Sequence, residues 1–143
     1  MRTAQNRPQN AEGQRMYYEF EIGSRLPGLN EYINACRKNA YCGASMKKST
    51  EELIGLYIMY ARAAGVLPKS VIEKPLNVEI EWYEENRKRD VDNILSGKKF
   101  IFDALQKYGV IVDDDQKHIR QVLKERVIIE KKSRVIVRLS ETE

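Results

Sequence analysis

The stretch Leu76-Asn77-Val78-Glu79-Ile80-Glu81-Trp82-Tyr83 constrains the fold most tightly. Leu76, Val78, Ile80 and Trp82 fall on one side, and Asn77, Glu79 and Glu81 on the other. That is the period of two of a half-buried strand. Tyr18, Phe20 and Ile22 alternate with Glu19 and Glu21 in the same way. From Ile119 onward Val127, Ile128 and Ile129, then Lys131-Lys132-Ser133, then Val135, Ile136, Val137 and Leu139 read as a hairpin.

Between these strands lie helical patterns. Asn30 offers an N-cap to a short helix through Tyr32, Ile33 and Cys36. Ser49 or Thr50 starts a second helix, with Glu52 as the capping-box partner of Ser49. Leu53, Leu56, Tyr57, Tyr60, Ala61 and Ala64 recur along it at helical spacing, and Gly65 and Pro68 end it. The intervening Arg37–Lys48 mixes four cations with Asn39, Tyr41 and small residues. It reads either as a loop whose Lys47 and Lys48 touch phosphates and whose Tyr41 stacks a base, or as a solvated basic loop. Helices and strands are mixed rather than regularly alternating. The expected class is α+β: one domain over residues 16–143, with a mixed or mostly antiparallel sheet packed with helices. Residues 1–15 lack Leu, Ile, Val and Phe and are expected to form a flexible extension.

Composition excludes several classes. No apolar run reaches the roughly 20 residues of a membrane helix, and the N-terminus has no apolar core of a signal peptide. A cytoplasmic location is expected. Two cysteines, Cys36 and Cys42, and one histidine are too few for a Cys/His zinc site and read as free thiols. The net charge of +4 becomes informative only through where the cations lie.

They lie beside carboxylates. Arg87-Lys88-Arg89 leads into Asp90-Val91-Asp92-Asn93, an amphipathic helix follows, and Asp113-Asp114-Asp115 closes the stretch. If Asp90–Asp92 is extended, its two carboxylates share a face and repel unless a cation sits between them. Mg²⁺ is held by one or two carboxylates together with substrate phosphate. At 100° per residue from Asp92, Ser96 falls at about 40°, Lys99 at about −20° and Asp103 at about 20°. Ile94, Ile101, Leu105 and Tyr108 lie opposite, and Lys98, at about 240°, leans toward them. The polar row is either a solvated face or part of a site. The three aspartates are either an acidic turn or the place where one of them, Asp114, completes a metal site, with Asp113 as the competitor.

Arg87 to Asn93, Lys99-Phe100-Ile101-Phe102-Asp103-Ala104-Leu105 and Gly109-Val110-Ile111-Val112-Asp113-Asp114 together resemble the RusA family of Holliday junction resolvases, small and often prophage-borne endonucleases. The segment Leu26-Pro27-Gly28-Leu29-Asn30-Glu31-Tyr32 resembles the family's N-terminal pattern more loosely. The resemblance implies that Asp90, Asp92 and Asp114 bind Mg²⁺, with Mn²⁺ as a substitute, and that a lysine assists catalysis. Three extra residues separate Asn93 from that lysine relative to the enterobacterial pattern. Anchoring on Phe102–Leu105 selects Lys99 over Lys98. Further implications are a homodimer, a four-way DNA junction as substrate, paired symmetric nicks in recombination and repair, and phosphate contacts from Arg87, Lys88 and Arg89. The competing readings are a general branched-DNA or flap endonuclease, a junction-binding protein that no longer cuts, and a glycosyltransferase using Asp-x-Asp. The last lacks a Gly-rich nucleotide-binding unit.

Overall fold

The computed structural model describes residues 16–142, so the extension expected at residues 1–15 lies outside the described residues. The described chain runs β1 (Tyr17–Ile22), α1 (Leu29–Lys38), α2 (Ala40–Ala63), β2 (Leu76–Glu84), α3 (Val91–Leu95), α4 (Lys98–Lys107), β3 (Ile119–Ile129) and β4 (Arg134–Glu141). The four strands form one sheet in the order β1-β4-β2-β3. β4 is antiparallel to both β1 and β2, while β2 and β3 are parallel. The architecture is α+β with a mixed sheet.

β2 forms where the alternation places it. Leu76, Val78, Ile80 and Trp82 are buried together with Tyr18, Phe20 and Ile22 of β1 and Val135, Val137 and Leu139 of β4. Ile54 and Ile58 of α2 and Ile101, Ala104 and Leu105 of α4 join the same core. The helices thus cover one apolar sheet face. Gly97, between α3 and α4, lies against Trp82, where a Cβ would come within 3.0 Å of the indole.

Three local expectations are corrected. The segment 119–139 is not a hairpin, because β2 lies between β3 and β4. The turn after Ile129 carries the chain across the end of β2, and β2–α3–α4–β3 becomes a parallel crossover unit. The period of two is blind to this, since it assigns residues to faces and says nothing about neighbours. Second, Arg37–Lys48 is not a loop. α1 ends at Lys38, Asn39 caps α2 by accepting from the Cys42 amide at 2.8 Å, and the helix runs unbroken through Lys47, Lys48 and Ser49. Ser49 only returns its hydroxyl to the Met46 carbonyl, and Thr50 is buried. A turn-like composition is overridden by packing of α2 on α1, where Gly43 leaves room for the Cys36 thiol. Third, Gly28, not Asn30, is the N-cap of α1. Cys36 and Cys42 are free thiols.

The sheet face away from the core is polar yet shielded. Arg138 of β4 donates to Glu19 of β1 at 2.6 Å and to Glu81 of β2 at 3.0 Å, while Arg126 of β3 donates to Glu81 through Nε at 2.9 Å. Burial pushes the Glu81 carboxyl up, but the bonds from Arg138 and Arg126 outweigh it and hold the group at about 2. A folded-state value depressed below the ordinary 4.5 stabilises the fold above that value. The contribution disappears as pH falls from about 4.5 through about 2. Glu81→Gln is therefore expected to flatten the loss of stability in this window, by on the order of 2 kcal/mol, in urea melts taken from pH 6 to 2. An unchanged acid limb would place the pH dependence elsewhere.

Candidate active site

The site is built by the crossover between β2 and β3. Asp90 has extended backbone angles and Val91 begins α3, so Asp92 sits in a first helical turn. The expectation of an extended Asp90–Asp92 pair therefore holds only for Asp90. Both carboxylates are exposed, and neither has a hydrogen-bond or ion-pair partner among the described residues.

The residues on either side are anchored inward. Arg89 clasps Glu84 through Nε at 3.0 Å and Nη2 at 2.8 Å, and its Nη1 donates to the Leu26 carbonyl at 3.1 Å. Its side chain is 12% exposed and that of Glu84 9%. Asn93 Oδ1 accepts the Asn30 backbone N–H at 2.9 Å, satisfying a first-turn donor of α1 from another element. Gly28 makes this possible, because a Cβ there would collide with the Asn93 side chain. Glu31 completes the cluster, donated to by Gly28 N at 3.3 Å and by Arg25 at 3.0 Å. The Asp-bearing segment and the Leu26–Glu31 segment are one joined unit. The sequence signals were the asparagine after Asp-x-Asp and the glycine before the helix.

From Val91 to Lys107 the chain stays nearly helical. A tighter turn at Ser96-Gly97 has Lys99 and Phe100 donating three residues back, to Ser96 and Gly97. The polar row survives this hitch. Lys99 Nζ lies 3.1 Å from Asp103 and 3.3 Å from Asp114, while Lys47 of α2 lies 3.7 Å from Asp103. Asp103 first, then Asp114, raises the Lys99 pKa, so the side chain stays a cation. Lys98 points the other way, to Glu125 of β3 at 2.8 Å.

Asp114 reaches Lys99 because α4 stops sharply. Gly109 takes a φ of 70°, which only glycine adopts without strain, and Val110 donates back to Leu105 at 2.8 Å. Arg62 of α2 caps the same end, donating to the Tyr108 and Gly109 carbonyls at 2.7 and 2.8 Å. Ile111 makes only an isolated bridge to Ile72, so the aspartates follow a loop and not a strand of the sheet. They divide their tasks. Asp113 accepts the Asp114 amide at 2.7 Å, and Asp115 accepts the Lys117 and His118 amides and lies 2.6 Å from the His118 ring. That bond from His118 is the main cause of the lowered Asp115 pKa. Two of the three acids build turns, and Asp114 is the one that meets Lys99.

The remaining predicted cations are dispersed. Arg87 and Lys88 are exposed beside Asp90, and Lys48 is exposed on α2, none with an ion-pair partner among the described residues. No helix of the described residues is long and apolar enough to cross a membrane. No curated protein matches the chain significantly. The family model Endodeoxyribonuclease RusA matches residues 26–140. That span begins at the Leu26 segment tied to Arg89 and Asn93, takes in every residue of the site, and ends in β4, so the chain belongs to the RusA family of endodeoxyribonucleases.

Proposed function

We propose that this chain is a Mg²⁺-dependent Holliday junction resolvase, working as a homodimer that nicks two opposed strands of a four-way junction in recombination and repair. One observation carries the reading most. Lys99, the cation of the polar row, is ion-paired to Asp114 at 3.3 Å across fifteen residues of chain, joining two separate parts of the family pattern.

The donor set suits a hard cation: two exposed carboxylates without partners among the described residues and a third whose present partner is a lysine. As the side chains stand, no three acidic, histidine or cysteine groups among the described residues lie close enough to hold an ion. Asp90, Asp92 and Asp114 would hold it, with Mn²⁺ as a substitute. When bound, the metal supplies polarisation of the scissile phosphate and a water of lowered pKa. Lys99 enters as a cation, since Asp103 and Asp114 keep it protonated. It stabilises the negative charge that builds on the phosphoryl oxygens or the departing oxygen as the P–O bond breaks. Arg87, Lys88, Lys47 and Lys48 provide phosphate contacts, and binding weakens with salt accordingly. Two-fold symmetry of the protein suits a two-fold branched substrate, one site to each strand.

The test is a nicking assay with Mg²⁺ on a labelled four-way junction beside linear duplex, a flap and a splayed arm. Paired symmetric nicks confined to the junction are expected. Equal cutting of every branched substrate would make the chain a general structure-selective endonuclease, and binding without cutting would end the nuclease reading.

Arg89 takes a different part from its neighbours. Its guanidinium is committed to Glu84 and Leu26, so it holds the loop that presents Asp90. Arg89→Met is expected to cost on the order of 2 kcal/mol in urea melts, by leaving Glu84 without its charged partner. The slope of junction affinity against salt should not change, whereas loss of a phosphate contact lowers it by about one. A reduced slope with unchanged stability would return Arg89 to the DNA surface.

A further inference from the structure

Beside Lys99 lies a cavity of about 320 Å³ between α1 and α4, lined by Leu29, Tyr32, Lys47, Ser96, Lys99, Phe100 and Asp103. It is unusual in being both apolar and ionic. Leu29 is 44% exposed at its edge, although it is a large aliphatic side chain on the first position of a helix. Phe100 is almost wholly buried, and Tyr32 meets it edge-on at 5.6 Å between ring centres. Against these walls, Lys47 and Lys99 flank Asp103, the acid that lines the cavity.

Those features select among ligands. Asp103 is matched by both lysines, and these also pair with Glu51 at 3.7 Å and with Asp114 at 3.3 Å, so the cavity's charges are balanced and call for no further ion. A phosphate by itself would use the lysines but leave Leu29 and Phe100 against water. A flat ring with polar edges would use all of them, laying its face on the apolar wall and its edge against the ammonium donors and the carboxylate acceptor. The cavity shares Lys99 with the candidate active site, so its ligand sits within one side chain of the group that contacts Asp114.

We propose that this cavity receives one unstacked nucleobase of the DNA substrate, next to the phosphate to be cut. The inference rests on the nuclease reading above and adds to it a reason for structure selectivity. A base inside a continuous duplex must be unstacked and unpaired before it can enter. A base at a branch point has already lost part of that stabilisation and enters at least cost. The pocket therefore favours branched over linear DNA, and Asp103 with the two lysines sets which base edge is accepted.

The test reads base placement without cleavage. Junctions carry 2-aminopurine, one at a time, at each position flanking the exchange point, and are bound by the full chain bearing Asp92→Asn. Fluorescence is expected to change at least threefold at one position on each of two opposed strands. Leu29→Trp, at an exposed edge where the larger ring closes the mouth without entering the core, should abolish that change while the junction still binds. A signal that is flat at every position, or one that Leu29→Trp leaves intact, would overturn the pocket. The parent reading fails differently. A chain without Asp92→Asn that shows the fluorescence change but never nicks DNA keeps the pocket and loses the nuclease. One that nicks junctions while all positions stay flat keeps the nuclease and loses the pocket.

Discussion

Asp92→Asn is expected to reduce junction nicking by roughly three orders of magnitude or more, equivalent to at least about 4 kcal/mol of transition-state stabilisation. Junction affinity should change little. The reason is local. The Asp92 carboxylate is exposed and has no partner among the described residues, so no hydrogen bond or ion pair between them depends on its charge. Its neighbour Asn93, by contrast, caps α1 through Asn30. The amide keeps the size of the acid and removes the negative charge that a hard cation needs. A single-turnover assay in Mg²⁺, with binding followed by gel shift and folding by urea melts, separates the possibilities. Full activity in the variant would remove Asp92 from the site. Loss of binding together with cleavage would mean that the residue acts on DNA and not on a metal.

The second large effect concerns two adjacent lysines. Lys99→Ala is expected to slow nicking by about 10²–10³-fold, the range seen when one donor to a developing anion is deleted. Lys98→Ala should leave the rate nearly intact and cost no more than about 1 kcal/mol of stability, because its pair with Glu125 is partly exposed. The two side chains leave α4 in different directions, one toward Asp103 and Asp114, the other toward β3. Measuring both variants under single turnover at saturating Mg²⁺ settles the register across the additional residues between Asn93 and the lysine. A slow Lys98→Ala and a fast Lys99→Ala would reverse the assignment.

Much of this was legible in the chain because it depends on period alone. The alternation of Leu76 to Tyr83 defined β2. The wheel from Asp92 placed Ser96, Lys99 and Asp103 on one face, and that face survives a hitch at Ser96-Gly97 that no periodicity announces. The partner of Lys98 could be sensed only as a lean toward the buried side. Contacts between distant segments were not legible. Nothing local says that β4 inserts between β1 and β2, that Asn93 finishes α1, or that Arg62 closes the end of α4. Arg89 reads as one more cation in a run of three until Glu84 is seen beside it. The beginning of α2 was misread for a different reason. Asn39, Gly43, Ser45 and Ser49 have the composition of a loop, and the packing of Gly43 on Cys36 decides otherwise.

The place of β4 in the sheet has a consequence for how the protein is made. It is an inner strand, yet of the four described strands it is the last to leave the ribosome. Until it arrives, β1 has no neighbour, since Tyr17 pairs with Ser140 and Ile22 with Val135. β2 and β3 can already pair around α3 and α4, but the strand that will flank β2 on its other side is missing. A nascent chain stalled before Arg134 therefore carries two open strand edges, the feature that invites aggregation. Closure by such distant pairing is slower than closure by local contacts. A chain assembled in this order completes the sheet beneath its candidate site only when β4 takes its place between β1 and β2.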